Sequence, residues 1–192
     1  MNTNEQKQNM RQAVKKVSVC LTEEERKKAD AVIAKRILSL PQYREAETVF
    51  CFVSMPGEID TTKILEDAFA HGKRVGVPKC ISKGVMEVYE ITSLEELEES
   101  GPYHIREPKG TSEGQSSKEA GLIEPEEIEF AVVPCVSCSS DGKRLGHGGG
   151  YYDRYLAKSQ AIRAVVCRRA EMREDIPVDT YDLKMDIVIT DH

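Results

Sequence analysis

The chain has no tryptophan, and aromatic residues make up only 6% of its 192 residues. It also lacks a run of about 18 apolar residues, the length that a membrane-spanning helix needs, and its polar N-terminus, Met1–Arg11, lacks the apolar centre of a signal peptide. A basic excess is missing too, because the formal net charge is −6, whereas nucleic-acid-binding domains are usually basic. These absences predict a cytoplasmic protein that binds neither membrane nor nucleic acid. Nothing in the sequence indicates an obligate protein partner.

The cysteine pattern lacks the second pair that a CxxC zinc site needs. Cys135-Val136-Ser137-Cys138 is a lone CxxC, and this spacing often arises without metal or redox chemistry. A redox motif is the alternative, but in a cytosolic chain the pattern favours small buried side chains over disulfides. The six cysteines are Cys20, Cys51, Cys80, Cys135, Cys138 and Cys167.

Apolar and helical segments alternate along the chain in the order of a β-α-β unit. The dense apolar run Thr48–Ser54 is typical of a buried strand, a helix follows through about His71, and Arg74–Pro78 is a second short strand. This order predicts a parallel pair joined by a right-handed crossover. We therefore predict the α/β class, as a single three-layer αβα domain over residues 1–192 with a mostly parallel central sheet.

The remaining elements follow from apolar periodicity and turn residues. Residues 1–40 are predicted to form two helices that pack on the domain, the second starting from a capping box at Thr22. Segment 100–125 is rich in Gly, Ser, Pro and charge, which predicts a long surface loop. The other predicted strands are Met86–Ile91, Phe130–Pro134, Ala161–Cys167 and Asp186–Thr190, and the other predicted helices are Thr92–Glu99 and about Gly150–Ser159.

The glycine-rich stretch Gly142–Leu156 is the strongest local signal of function. Glycine leaves room for an anion to approach backbone N–H groups, and the N-terminus of the following helix adds unsatisfied donors. Lys143, Arg144 and Arg154 bring positive charge, and Asp153 brings a carboxylate able to hold a divalent metal. The pattern is neither a Walker A loop nor a Rossmann fingerprint, and a glycine-rich loop alone is weak evidence. It indicates a phosphate site that suits a nucleotide.

Other candidate side chains lie near strand ends, where open α/β sheets bind ligands. Glu58 follows the first strand and Lys79 the second, whereas Asp182 precedes the last. Each has a structural alternative: a first-turn helix carboxylate, a solvated lysine and a turn residue, respectively. Lys7 and Arg11 share one face of the first helix, where spacing alone favours a solvated basic surface.

The segment R-L-G-x-G-x-G-Y-Y-D-R-Y-L at 144–156 resembles the signature of the 5-formyltetrahydrofolate cyclo-ligase family. The likeness covers nearly the whole chain, although His147 and Gly149 stand where some members are basic, and Pro134–Ser139 replaces a P-G-x-A-F-D segment. The shorter matching segments are Lys7 with Arg11, Val53–Met55, Glu58–Thr61, Val77–Lys79, Ile105–Pro108, and Ile176–Pro177 with Asp182.

The resemblance implies an ATP- and Mg²⁺-dependent ligase of one-carbon metabolism that closes 5-formyltetrahydrofolate to 5,10-methenyltetrahydrofolate. In such a reaction the formyl oxygen attacks the γ-phosphoryl group of ATP, N10 then attacks the activated carbon, and ADP and phosphate leave. Positioning and charge neutralisation are what phosphoryl transfer mainly needs.

The resemblance also implies a role for particular residues at matching positions. Arg144 and Tyr152 would be catalytic. Asp153 and Asp182 would hold Mg²⁺, a hard ion that prefers oxygen ligands. Val53, Glu58, Tyr151 and Tyr152 would bind the folate. The nucleotide would contact Lys7, Arg11, Arg144, Leu145, Gly146, His147, Gly148, Gly149, Gly150, Tyr151 and Tyr152.

Two other classes of protein remain open at this stage. A sugar-phosphate isomerase-like enzyme on a related scaffold would use the same loop for substrate phosphate, but it has no evident need for the paired carboxylates Asp153 and Asp182. A non-catalytic folate- or nucleotide-binding member would keep the scaffold and lose turnover. The missing basic side chains at positions 147 and 149 are the feature that would indicate this second class.

Overall fold

The structure, a computed structural model, describes residues 2–100, 105–109 and 121–192. Within these ranges, single turns of 3₁₀ helix lie at Leu94–Glu96, Pro125–Glu127 and Arg169–Glu171. The helices are α1 (Thr3–Cys20), α2 (Glu23–Ser39), α3 (Pro41–Glu45), α4 (Thr62–Ala70) and α5 (Tyr151–Leu156). The strands are β1 (Thr48–Cys51), β2 (Arg74–Ser82), β3 (Val85–Ile91), β4 (Leu97–Ser100), β5 (Ile105–Pro108), β6 (Phe130–Val133), β7 (Ser137–Cys138), β8 (Arg144–Leu145), β9 (Ile162–Val166) and β10 (Ile187–Ile189).

Side-chain capping fixes where the two N-terminal helices begin. Asn2 and Glu5 form a reciprocal capping box at the start of α1, and Thr22 and Glu25 form another at the start of α2. Each box satisfies two backbone donors that a helix end otherwise leaves unpaired. The predicted box at Thr22 is therefore confirmed.

The central sheet has six strands in the order β10-β9-β6-β1-β2-β3. Every neighbouring pair is parallel except β2 and β3, which form an antiparallel hairpin at one edge. The predicted parallel pair of β1 and β2, connected through α4, is confirmed, as is the mostly parallel sheet.

The sheet is buried on both faces, because side chains alternate between two hydrophobic clusters. Along β6, Phe130 and Val132 belong to the cluster that contains side chains of α2 and α4, whereas Ala131 and Val133 belong to the cluster that contains side chains of α5. Parallel strands covered by helices on both faces carry such continuous apolar runs. The result is the predicted three-layer α/β arrangement.

Two sequence predictions are wrong in part. The predicted acidic helix Thr92–Glu99 is one 3₁₀ turn followed by β4, and the predicted loop 100–125 contains β5, which pairs with β4. The loop prediction otherwise falls largely outside the described residues. The hairpin of β7 and β8 was not predicted, although it carries Arg144.

The carboxyl ends of β1, β6 and β9 meet at one edge of the sheet, where Phe52, Pro134 and Val166 line a common cavity. Chain segments leaving these strands must pass this edge, as the rule for open parallel sheets predicts. Within the described ranges, no helix combines the length and the apolar character that crossing a membrane requires.

Candidate active site

The glycine-rich loop forms one wall of a cavity of about 610 Å³, which we call the loop cavity. The loop runs from β8 to the N-terminus of α5, and Gly148 and Gly150 have positive φ angles of 101° and 67°. All of the residues expected at the nucleotide and metal sites line this cavity. The lining includes Asn4, Lys7, Arg11, Arg144, Leu145, Gly146, His147, Gly148, Gly149, Gly150, Tyr151, Tyr152, Asp153, Arg154, Asp179, Tyr181 and Asp182.

Arg144 is buried and held from two sides. Its Nη2 donates to Asp153 Oδ2 at 2.6 Å, and its Nη1 donates to the Pro134 carbonyl oxygen at 3.1 Å. Its Nε is buried without a hydrogen-bond partner in the described part of the chain. An unpaired buried donor costs about 1–3 kcal/mol, and a bound ion is one of the explanations for such a donor in a native structure. The arrangement therefore suits an anion in the loop cavity.

Lys7 reaches the loop cavity from α1 and pairs with two carboxylates near the other end of the chain. Its Nζ lies 2.7 Å from Asp179 Oδ2 and 2.5 Å from Asp182 Oδ2. Burial disfavours the charged lysine, but the hydrogen bonds to both aspartates outweigh it and raise the pKa of Lys7. The sequence alternative of a solvated basic face is wrong for Lys7, which is only 7% exposed.

Arg11 and Arg154 hold the backbone of the glycine-rich loop. Arg11 Nε donates to the Gly146 carbonyl oxygen at 2.7 Å, and Arg154 donates to the carbonyl oxygens of Gly149 and Gly84. Burial lowers the pKa of Arg11, opposed in part by the charge of Asp182. The loop is thus positioned from α1, from α5 and from the β2–β3 turn.

A second cavity of about 370 Å³ adjoins the loop cavity, and we call it the Glu58 cavity. The two share Arg11, Pro134 and His147 as lining residues. Glu58 Oε2 accepts a hydrogen bond from the Met55 N–H at 2.9 Å, and its Oε1 lies 3.3 Å from His147 Nε2. His147 therefore connects the glycine-rich loop to Glu58 where the cavities meet.

A buried ion pair supports the segment that carries Glu58. Arg168, which follows β9, donates to both carboxylate oxygens of Asp30 on α2 at 2.8 and 3.0 Å. The same guanidinium donates to the carbonyl oxygens of Gly57 and Glu58 at 3.0 and 2.9 Å. One cation thus satisfies a buried carboxylate and two loop carbonyls, which fixes the position of Glu58.

Tyr152 lies between the core and the loop cavity. The Cζ of Arg144 lies 5.7 Å from its ring centroid, and its ring centroid lies 6.0 Å from that of Phe50. Burial, with the charge of Glu58, raises the pKa of Tyr152 well above its ordinary value. The phenol therefore keeps its proton and can donate a hydrogen bond, but it cannot act as a base.

Two candidates lie apart from these cavities. Val53 is half-buried against the hydrophobic core and is absent from the lining of both cavities. Lys79 donates to the Pro108 carbonyl oxygen at 3.3 Å and lies 5.8 Å from the ring centroid of Tyr89. Lys79 is therefore not the freely solvated lysine of the structural alternative. A direct role of Val53 at the substrate stays a prediction.

The loop cavity offers the oxygen ligands that a divalent ion needs. Asp153 and Asp182 both line it, and the Leu183 N–H donates to Asp153 Oδ1 at 3.2 Å, which brings the two carboxylate-bearing segments together. Asp182 Oδ2 is engaged by Lys7 and by the Asp179 N–H. A hard cation such as Mg²⁺ suits this donor set.

Several site residues were missed in the sequence. Asp179 lies three positions before Asp182 in a loop that already carried a candidate, so an acidic pair three apart was the available signal. Arg168 directly follows the apolar run of β9, where the strand-end rule would have selected it. No local pattern marks its partner Asp30, which lies 138 positions earlier in the chain.

Comparisons with known proteins agree on one family. The family model described as "5-formyltetrahydrofolate cyclo-ligase family" matches residues 3–191. A probable 5-formyltetrahydrofolate cyclo-ligase of Schizosaccharomyces pombe is 31% identical, over 82% of this chain and 81% of that protein. The mouse 5-formyltetrahydrofolate cyclo-ligase is 28% identical, over 97% of this chain and 94% of that protein.

A solved structure gives the same result. The 5,10-methenyltetrahydrofolate synthetase of Aquifex aeolicus has a TM-score of 0.80 and 27% identity, over 96% of this chain and 89% of that chain. The shared fold therefore extends over nearly all of the sequence.

Proposed function

The chain belongs to the 5-formyltetrahydrofolate cyclo-ligase family, and from this premise we propose how its two cavities divide the work of the reaction. As a member it is a ligase that closes 5-formyltetrahydrofolate to 5,10-methenyltetrahydrofolate. We assign the ATP phosphates to the loop cavity and the folate to the Glu58 cavity. The observation that carries this assignment is that the two cavities adjoin and share Arg11 and His147.

The loop cavity suits a polyphosphate because its cations lie beside a glycine-rich backbone that an anion can approach closely. Lys7, Arg11 and Arg144 all line it, and each can donate charge-assisted hydrogen bonds to phosphate oxygens. Arg144 is held in place by Asp153 before any ligand binds, so little reorganisation is needed to receive the charge. Preorganised donors of this kind stabilise the charge that develops in phosphoryl transfer.

The Glu58 cavity suits the pterin ring of the folate. A pterin is planar and has donors along one edge, and Glu58 offers a carboxylate acceptor that is held in place by the Met55 N–H. The formyl group would then point towards the junction at Arg11 and His147, where the γ-phosphoryl group of ATP is expected. Such positioning supplies much of the rate enhancement for a reaction between two bound substrates.

The reaction balances as two successive displacements. The formyl oxygen attacks the γ-phosphorus, the bond from that phosphorus to the β,γ-bridging oxygen breaks, and ADP leaves. N10 then attacks the activated formyl carbon and loses its proton, and the carbon–oxygen bond to the phosphoryl group breaks. The oxygen leaves in inorganic phosphate, which takes up that proton, and the methenyl bridge remains. Tyr152, which lines the loop cavity and stays protonated, can donate a hydrogen bond there but takes no proton.

Asp153 and Asp182 would hold Mg²⁺ in the loop cavity. Bound there with ATP, the ion would neutralise phosphate charge. Both carboxylates are already placed by protein contacts, Asp153 by Arg144 and Asp182 by Lys7. The cations that hold them therefore lie beside the expected phosphates.

The test of this function mixes the protein with 5-formyltetrahydrofolate, ATP and Mg²⁺ and follows methenyl-folate absorbance together with ADP release. We expect one ADP for each methenyl product, and ADP release that depends on the folate. Folate binding without either product would indicate the non-catalytic alternative and contradict the function. The family match gives no support to the isomerase alternative. The cytoplasmic location stays a prediction.

A further inference from the structure

Three cysteines meet behind the Glu58 cavity. The sulfur atoms of Cys135, Cys138 and Cys167 all lie within 4.8 Å of one another. Cys138 and Cys167 are buried and Cys135 is half-buried, and Cys135 also lines the Glu58 cavity. The proposed reaction uses none of these thiols, so the cluster calls for a separate explanation.

The strands of the fold fix the position of this cluster. β6 and β9 are parallel neighbours with Val133 paired to Val165, and Cys135 and Cys167 each lie two residues beyond that pair. Cys138 belongs to β7, where it pairs with Arg144 of β8. The lone CxxC pair, Cys135 and Cys138, therefore lies beside a third thiol, that of Cys167, which directly follows the neighbouring strand β9.

The geometry of the cluster suits a soft metal ion. Zinc–thiolate bonds are about 2.3 Å long, so sulfurs that share one ion lie roughly 4 Å apart, close to the spacing of this cluster. The Cys135 thiol donates to the Val166 carbonyl oxygen at 3.2 Å, which orients it within the cluster.

We propose that Cys135, Cys138 and Cys167 form a binding site for one thiophilic d¹⁰ metal ion, Zn²⁺ or Cu⁺. Binding replaces the three S–H protons, which leave to solvent, by three sulfur–metal bonds, with no change in oxidation state. Three thiolates complete a trigonal Cu⁺ site, whereas a tetrahedral Zn²⁺ keeps one open position. The site is independent of the assignment of ATP and folate to their cavities.

The experiment measures metal binding by the full-length, reduced protein in the absence of ATP and folate. After chelator treatment under anaerobic conditions with reductant, the protein is titrated with Co²⁺ as a spectroscopic probe, then with Zn²⁺, and in a separate arm with Cu⁺ against a coloured competitor. We expect one equivalent of metal per chain, a thiolate-to-cobalt charge-transfer band that Zn²⁺ removes, and a higher melting temperature with metal bound. Comparison of the dissociation constants for Zn²⁺ and Cu⁺ shows which of the two ions the site prefers.

Cysteine variants locate the site. Cys135→Ser and Cys138→Ser are expected to lose stoichiometric binding, whereas Cys51→Ser, which changes a buried cysteine outside the cluster, is expected to keep it. If Cys138→Ser fails to fold, the half-buried Cys135 decides the question. Three results would overturn the proposal: no metal bound by the reduced wild type, full binding by folded Cys135→Ser, or a disulfide within the cluster that resists reduction and excludes the ion.

Discussion

Arg168 shows how much of this site depends on a single buried cation. Its guanidinium satisfies the Asp30 carboxylate and the carbonyl oxygens of Gly57 and Glu58. Only 3% of its side chain and 11% of the Asp30 side chain are exposed, so water cannot replace the lost donors. Removing one partner of such a pair strands the other charge in the interior.

We therefore predict that Arg168→Met lowers the free energy of unfolding by about 3–5 kcal/mol and raises the KM for the folate. The matched control is Arg163→Met, because Arg163 pairs with Asp186 at the surface, with side chains 23% and 42% exposed. Such a pair is worth roughly 0–1 kcal/mol. Urea unfolding of both variants measures the difference. Equal, small losses would show that the Arg168 pair does not hold the Glu58 segment.

Asp153 is one of the two residues proposed to bind Mg²⁺. Asp153→Asn keeps the size of the side chain and removes its charge, so it is expected to raise the Mg²⁺ concentration needed for half-maximal rate by at least about tenfold, since even an outer-shell partner is worth that much. Asp141→Asn is the control, because Asp141 is exposed and pairs with Lys143 and Lys184 outside the loop cavity. Full activity of Asp153→Asn at limiting Mg²⁺ would make the metal role wrong.

At the scale of elements, the short β7–β8 hairpin positions Arg144 through its turn. Gly142 in that turn has a φ of +89°, and a Cβ built there would lie 2.5 Å from the carbonyl oxygen of Met185. The Met185 N–H in turn donates to the Gly142 carbonyl oxygen at 2.9 Å. The turn therefore contacts the segment before β10 so closely that a side chain has no space.

Gly142→Ala is expected to destabilise the protein by more than about 1–2 kcal/mol, the usual cost of a left-handed conformation alone, because the collision with the Met185 backbone adds to it. Gly72→Ala separates the two effects, since Gly72 has a φ of +66° and a Cβ there would meet nothing within 4 Å. Thermal melts of both variants make the comparison. If Gly142→Ala melts no lower than Gly72→Ala, the turn is not held against this segment.

Local patterns predict some elements of this chain well and fail at others for physical reasons. Strands β1, β6 and β9 are buried on both faces, so their apolar runs are visible in the sequence. Among the described residues, strands β4 and β5 form a separate two-stranded sheet, and the glutamates of β4 have a higher helix propensity than strand propensity. The conformation of β4 and β5 is therefore set by their pairing with each other, which a short stretch of sequence cannot reveal.

The same limit applies to the site. The glycine-rich loop was predictable because its function lies in consecutive residues. The contacts that complete it are long-range: Lys7 meets Asp182 across 175 positions of sequence, and Arg168 meets Asp30 across 138. Spacing on α1 placed Lys7 and Arg11 on one face, but only the folded chain shows that this face closes the loop cavity. That residues 1–192 form one domain stays a prediction.

For the whole molecule, the central claim is that two adjoining cavities divide the substrates between them, ATP at the glycine-rich loop and folate at Glu58. Lys7 lines only the loop cavity, and Glu58 lines only the second one. Substitutions at these two positions should therefore affect different substrates. A charge-assisted hydrogen bond is worth about 1.5–3 kcal/mol, which corresponds to roughly a tenfold or larger change in affinity.

The most direct test measures the KM of both substrates for Lys7→Met and Glu58→Gln, after thermal melts confirm that each variant is folded. Lys7→Met is expected to raise the KM for ATP by about tenfold or more and to leave the KM for 5-formyltetrahydrofolate nearly unchanged. Glu58→Gln is expected to show the reverse. If both variants raised the KM of the same substrate, or if each raised the KM assigned to the other, the division of the two cavities would be contradicted.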